Sequence, residues 1–328
     1  MTWSSADIAV LARAVSHAPS VHNTQPWTLE AHADHVDLYE RFEGAWGLAP
    51  RRGPEGAPPE GTVALPRHDP AGRDRTISCG AALANLALAV RALGWAAEVA
   101  LLPEPAQPGL VARIHARGRA NPTATETERY AAIFRRHSYR GPFGLEPVPR
   151  DSLRGLAGAA SEPGVQIRII EPRTECGALA ELFGHAALVI RDDSAYQREL
   201  AAWSVGPSGT TVPWGGLVRA DTHVPDTVTL TERLMHEGIL LLLTPDDTRL
   251  CHLVAGAAMQ QVWLAAIVQG MVAAALTQPL HLPEVRAGLI ERLGLAGYPQ
   301  LFLRVGHPAR AELSPQESRR PADSVVFP

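Results

Sequence analysis

Two short segments concentrate groups able to hold an anionic, hydrogen-bonding ligand. Ala18-Pro19-Ser20-Val21-His22-Asn23-Thr24-Gln25-Pro26-Trp27 carries two amides, Asn23 and Gln25, each able to donate and accept, together with the Ser20 hydroxyl. Arg136-His137-Ser138-Tyr139-Arg140 carries two guanidinium groups four residues apart, a spacing that on a helix brings both to one anion, with the Ser138 hydroxyl between them. Singly, each segment has a plainer reading. Pro19 and Pro26 also suit a helix end and a turn with Trp27 as core, and Arg136 and Arg140 suit a solvated helix face. Their occurrence together, in complementary parts of the chain, favours the binding reading.

Composition narrows the chemistry. The 328 residues are 46% hydrophobic and 20% charged, enough for a substantial core in one large or two small domains. Thirty basic residues against 34 acidic ones make no general positive field, which argues against nucleic acid as a partner. All 30 basic residues are arginine; without lysine there is no Schiff-base chemistry and no P-loop lysine. Cys79, Cys176 and Cys251, an odd number at wide spacing, fit neither a disulfide framework nor a CxxC metal site and point to a reducing, cytoplasmic setting. The 13 histidines include no HExxH or HxxxH pair on a helix, so no metal site is expected. No Gly-x-Ser-x-Gly elbow or Gly-x-Gly-x-x-Gly fingerprint is present, which argues against a hydrolase and a Rossmann nicotinamide domain. The N-terminus lacks the pattern of a signal peptide, and residues 253–276, although long enough to span a bilayer, are interrupted by Gln260, Gln261 and Gln269 and read as a buried central helix.

The elements that must position these segments follow from periodicity. Ile8, Leu11, Ala12 and Val15 predict an amphipathic helix over residues 6–17, ending at Ala18-Pro19. Strand-like runs follow at 28–31 and 36–39, then a Gly, Pro and Arg-rich stretch over 43–75 that reads as an exposed excursion. Helices are predicted at 80–93, 126–136, 152–159 and around 176–183, with strands at 96–102, 110–116, 165–171, 239–244 and 300–305. The segment from Cys79 matches the one from Ala255 at an offset of 255 − 79 = 176, with Gly80, Ala81, Ala82, Leu88, Ala89, Gly94 and Pro103 opposite identical residues. LVARI from Leu110 resembles LFLRV from Leu301. The chain therefore reads as an α+β duplication with small-residue helices packed at its centre.

APSxxNxQPW and RxSxR resemble the two signatures of the FMN-dependent nitroreductase family, and SCGAAL at Ser78 and RRPADSVV at Arg319 resemble its fused, twin-domain Acg-like branch. The resemblance covers the whole chain except an insertion near residues 50–65. It implies a tandem nitroreductase-like fold, a pseudo-dimer with long central helices, divided into 1–120 (with the insertion at about 43–75) and 121–328. It also implies one intact FMN site, one degenerate one, and no catalytic side chain, the flavin doing the electron chemistry. Pro19, Ser20, Asn23, Gln25, Arg136, His137, Ser138 and Arg140 would hold FMN, with the amides of Asn23 and Gln25 suited to the ring's N3 and carbonyl edge; Arg319 and Arg320 are weaker phosphate candidates and Gly215-Gly216 a weaker source of an amide for N5. NAD(P)H would be a transient donor and an electron-poor small molecule the acceptor. The chain would act as a monomer that is its own pseudo-dimer, with a homodimer the alternative. A lidded FMN-storage protein and a dehydrogenase or reductase specialised for one biosynthetic step are the rival functions. His137 stands where a second arginine is common, and the insertion after Gly44 bears on access to the flavin face.

Overall fold

A computed structural model describes residues 3–41, 64–203, 218–309 and 325–326. Residues 43–63 of the expected excursion, the Gly215-Gly216 amide and the arginines 319 and 320 lie outside the described residues.

Helix α1 (Ser5–Ser16) is opened by Ser4, whose hydroxyl accepts from the Asp7 amide while the Asp7 carboxylate accepts from the Ser4 amide. Strands β1 (Trp27–Ala31) and β2 (His35–Glu40), helix α2 (Arg73–Ala92), and strands β3 (Trp95–Leu101) and β4 (Leu110–Arg119) follow. Helices α3 (Ala124–Ile133) and α4 (Arg150–Ala157) lead to β5 (Gln166–Ile169), and helices α5 (Pro172–Asp192), α6 (Ser194–Trp203) and α7 (Thr227–Met235) come next. Strand β6 (Gly238–Thr244), helix α8 (Arg249–Val268), strand β7 (Val272–Leu276), helix α9 (Pro283–Leu293) and strand β8 (Tyr298–Gly306) complete the described elements.

The two sheets have one topology. The first runs β1-β2-β4-β3 and the second β5-β6-β8-β7, antiparallel throughout, each with a 20-residue helix between its second and third strands. These helices, α2 and α8, begin 249 − 73 = 176 residues apart, the offset of the sequence repeat. Both end on a left-handed glycine at the same repeat position, Gly94 (φ 81°) and Gly270 (φ 75°), a conformation glycine adopts without a Cβ penalty.

Small residues let α2 and α8 touch backbone to backbone. A Cβ on Gly80 would stand 2.0 Å from the carbonyl oxygen of Leu253, and one on Gly256 would stand 1.9 Å from that of Ile77. Leu253 is the repeat counterpart of Ile77, so the contact is reciprocal, as at an interface between two copies related by a two-fold axis. Two polar side chains inside this core link up: Asn85 Nδ2 donates to the Ala14 carbonyl and Gln260 Nε2 to Asn85 Oδ1, both at 2.8 Å. Helix α8 has the length and composition to cross a membrane, yet it is mostly buried within the fold. Burial on all sides explains why neither helix has a polar stripe.

The second sheet is apolar on both faces. Leu240 and Leu242 join the central core while Ile239, Leu241 and Leu243 join a second one with α5, α7 and α9, which accounts for the unbroken apolar run of β6. Helices α6, α7 and α9 have no counterpart among the sequence expectations.

Three expectations need correction. The central helix read over 253–276 ends at Val268, where Gly270 turns the chain into strand β7, which crosses to the sheet. Residues 64–75 are not an exposed excursion: Leu65, His68, Asp69, Arg73 and Asp74 are buried, and α2 begins at Arg73, seven residues before the predicted start. The backbone amides of Arg67 and His68 donate to the Glu199 carboxylate on α6 (2.9 and 2.8 Å), a long-range anchor that local composition does not report. Helix α3 stops at Ile133, so the arginines at 136 and 140 do not share a helical turn.

The glycine contact makes a quantitative prediction. Gly80→Ala and Gly256→Ala should each destabilise the protein by about 3 kcal/mol or more, because rigid backbone must move apart. Gly177→Ala on α5, where nothing lies within 4 Å of the added methyl, should stabilise by about 0.5–1 kcal/mol. Urea denaturation of the three variants checks both signs.

Candidate functional site

A cleft opens where the two repeats meet. Pro19 to His22 border it from the loop after α1, His68 from the segment before α2, and Asp74, Ile77 and Ser78 from the head of α2. The segment after α3 gives Ser138, Tyr139 and Arg140, α8 gives Met259 and Trp263, and β7 with the turn after it gives Ala274 to Gln278.

The loop is strained and tightly held. His22 (φ 46°), Asn23 (φ 57°) and Gln25 (φ 47°) are all left-handed. Asn tolerates this region, whereas each of the other two costs on the order of 1–2 kcal/mol. The Ser20 hydroxyl accepts from the Gln25 amide (3.0 Å), and the Ser78 hydroxyl accepts from the Val21 amide (3.1 Å) while donating to the Asp74 carbonyl (2.7 Å). Ser78 thus pins the loop to α2. On the opposite wall, the Tyr139 amide donates to the Ala273 carbonyl (2.9 Å) and the Tyr139 hydroxyl to the Pro142 carbonyl (2.6 Å). β7 is the edge strand of its sheet, so backbone polar groups beyond this contact border the cleft.

The candidate residues separate. Pro19, Ser20, Ser138 and Arg140 line one cleft, although the loop and the Ser138 segment are more than a hundred residues apart. Asn23 is exposed and Gln25 buried on the same loop, both outside the lining. Arg136 is buried elsewhere: its Nη2 donates to the His17 carbonyl at 3.0 Å and its guanidinium lies 4.9 Å from the Trp263 ring centre. It backs the cleft wall instead of converging with Arg140, because the chain has left the helix before it. His137 is turned toward the Arg135 carbonyl (3.3 Å).

Sequence reasoning missed the polar floor. Asp74, fully buried, receives His68 Nε2 at 3.2 Å, His281 Nε2 at 3.0 Å and the Thr277 hydroxyl on one oxygen, and Arg73 Nη1 at 3.0 Å on the other. His68 Nδ1 lies 3.4 Å from the Tyr196 hydroxyl, which also accepts from Gln278 Nε2. The His22 ring packs edge to face on His68, centres 4.5 Å apart. Burial pushes the Asp74 carboxyl up, but the charge and hydrogen bond of His281, the His68 hydrogen bond and Arg73 outweigh it and hold the group well below the usual carboxylate range. Burial pulls His281 down and Asp74 more than reverses it, so the imidazole titrates above its ordinary value. These side chains come from four separate segments, and only the charged run Arg73-Asp74-Arg75 at the head of an alanine-rich helix hinted at them.

Burial, then the neighbouring His68, lowers His22 to about 3. In the unfolded chain it titrates near 6.5. Between these values the unfolded state binds more protons, so His22 withdraws stability as pH falls through 6.5 toward 3. Asn at this position tolerates the left-handed backbone and carries no such proton. His22→Asn should therefore lose less stability between neutral pH and pH 4 than wild type, measured as denaturation midpoints along a pH series.

The chain is similar to curated proteins along most of its length. Putative NAD(P)H nitroreductase Rv3131 of Mycobacterium tuberculosis is 31% identical over 332 residues, covering 97% of this chain and 90% of that protein. Putative NAD(P)H nitroreductase acg of the same organism is 30% identical over 328 residues, covering 94% and 91%. No family model matches. Among solved structures, a nitroreductase with bound FMN from Bacteroides fragilis is similar at 16% identity and a TM-score of 0.42, over 58% of this chain and 94% of that one. With parts of the APSxxNxQPW and RxSxR segments lining one cleft and relatives at least 30% identical matched over more than nine-tenths of the chain, the chain belongs to the NAD(P)H nitroreductase family.

Proposed function

We propose that the cleft holds FMN and that the protein passes electrons from NAD(P)H to an electron-poor small molecule. The observation that carries this reading is the composite lining: Pro19 and Ser20 from one repeat and Ser138 and Arg140 from the other border a single cleft. We place the division between the repeats at residues 120 and 121 and the protein in the cytoplasm, where its three free, buried cysteines persist as thiols.

The lining suits the group. Arg140 offers a cation at the cleft, and the Ser20 and Ser138 hydroxyls and the edge of β7 offer hydrogen-bonding groups. Trp263 Nε1 is enclosed and has no hydrogen-bond partner among the described residues, so the wall contains a donor that a ligand acceptor could satisfy. When bound, FMN supplies the two-electron redox chemistry. The chain's own contribution is positioning and exclusion of water. Met259, Trp263, Ile77 and Leu276 form the apolar part of the wall, and the Asp74 cluster fixes the rings of His68 and His281 beneath it. Asn23 and Gln25 support this reading through the loop they hold in shape, and Arg136 through Trp263.

An absorbance spectrum of the purified protein followed by anaerobic NAD(P)H addition tests the proposal. Flavin bands at one FMN per chain, bleached within seconds, are the expected result. A colourless protein that takes up no FMN would sink the cofactor assignment, and bound flavin that NAD(P)H does not reduce would favour a storage role. Arg140→Ala should weaken FMN binding by about 1.5–3 kcal/mol, the scale of hydrogen bonds to charged groups. An unchanged dissociation constant would remove Arg140 from the site.

A further inference from the structure

The outer face of the first sheet carries a polar ladder. β1 and β2 form a hairpin in which Glu30 pairs with Asp37, and the His32 amide donates to the His35 carbonyl at 2.9 Å to close the turn over Ala33 and Asp34. Side chains alternate across a strand, and Val36 and Leu38 point into the core. Glu30, His32, His35 and Asp37 therefore share the opposite face, as two cross-strand pairs stacked one above the other. β2 continues the rungs, pairing His35 with His115 and Asp37 with Arg113.

The spacing within this group does not suit hydrogen bonds. His32 Nε2 lies 3.6 Å from Glu30 Oε1 and 3.6 Å from Asp37 Oδ2, and His35 Nε2 lies 3.8 Å from Asp37 Oδ1. A direct N–H···O bond spans about 2.7–3.2 Å. Two ligands each about 2.1 Å from one ion stand about 3.4 Å apart at a tetrahedral angle, and slightly farther when the angle opens. His32 Nε2 is enclosed yet has no hydrogen-bond partner among the described residues.

Neighbouring groups orient the ligands. Asp34 Oδ1 lies 2.8 Å from His35 Nδ1; the carboxylate accepts a hydrogen bond from Nδ1–H, which leaves the lone pair on Nε2, facing Asp37. Arg113 grips both oxygens of Asp37 at 2.7 Å, and the Tyr39 hydroxyl hydrogen-bonds Glu30. His32 and Glu30 are partly open to solvent, which leaves an entry path. The His68, Asp74 and His281 group differs. Its nitrogen–oxygen separations of 3.0–3.2 Å are hydrogen bonds already made.

We propose that His32, His35 and Asp37 form a binding site for a divalent transition-metal ion, two imidazoles and one carboxylate on one hairpin face, with the Glu30 carboxylate beside His32. The donor set suits borderline cations such as Zn²⁺ and Co²⁺ over Mg²⁺ or Ca²⁺, which take all-oxygen shells. The site is separate from the cleft and does not depend on the flavin assignment.

Calorimetric titration of chelator-treated full-length protein with Zn²⁺ near neutral pH, with Co²⁺ absorption as the coordination probe, tests the site. Wild type should take up one ion per chain and show the visible bands of tetrahedral Co²⁺. His32→Ala should lose both, while keeping the metal-free thermal midpoint of wild type. Asp34→Ala, which only orients His35, should weaken Zn²⁺ binding by about 10- to 100-fold. Should His32→Ala fold poorly, His35→Gln replaces it and should show the same loss. No uptake by wild type, or equal uptake by a folded ligand variant, overturns the proposal.

Discussion

The close crossing of α2 and α8 is the constraint on which the rest of the structure depends. Two glycines, each against the backbone of the other helix at Ile77 and Leu253, let the helices approach to a distance that any side chain would forbid. Interiors pack near crystal density, so such a contact admits little slack and fixes how one repeat sits on the other. The cleft inherits that geometry, since its walls come from α2, α8 and segments flanking both.

Buried charge reinforces the crossing from its ends. Arg73, the first residue of α2, reaches into the second sheet, where its guanidinium meets the Gln300 carbonyl and side chain. Arg249, the first residue of α8, reaches the other way to Glu40 at the end of β2, at 2.6 Å. Glu40, almost fully buried, also takes Arg75 at 2.6 Å and the Thr76 hydroxyl. Buried ion pairs add little net stability against an apolar alternative, but breaking one by removing a single partner is costly, so they specify the arrangement more than they strengthen it. These clamps are also what the duplicated topology permits, because equivalent helix ends face the opposite repeat.

The two repeats have diverged in what they do with the same frame. The second sheet buries both faces, one against the central core and one against α5, α7 and α9. The first keeps a charged outer ladder of Glu30, Asp37 and Arg113 beside His32, His35 and His115. At the head of α2 the first repeat has Asp74 where the second has Leu250, and that single difference places a carboxylate under the cleft for His68 and His281 to bind.

Local pattern and internal repetition determined much of this protein. The offset of 176, the glycines at 80, 94, 256 and 270 and the strand after each helix specified a duplicated α+β chain, because helix ends and close approaches are written in residue type at fixed spacing. APSxxNxQPW and RxSxR marked two walls of the cleft. Tertiary structure alone decided which of their side chains face it. Arg136 and Arg140 look equivalent in sequence, but the helix ends at Ile133 and a parallel bridge of Ser138 to Ala273 sends one arginine behind Trp263 and the other to the cleft. Residues 64–75 read as loop because Gly, Pro and Arg carry no periodicity, and long-range partners such as Glu199 on α6, His281 and Gln300 bury them. The histidine groups escaped a search for helical spacings for a related reason: one is assembled from distant segments, the other from cross-strand pairs. Their proximity is a property of pairing register and packing, which no linear spacing within one element encodes.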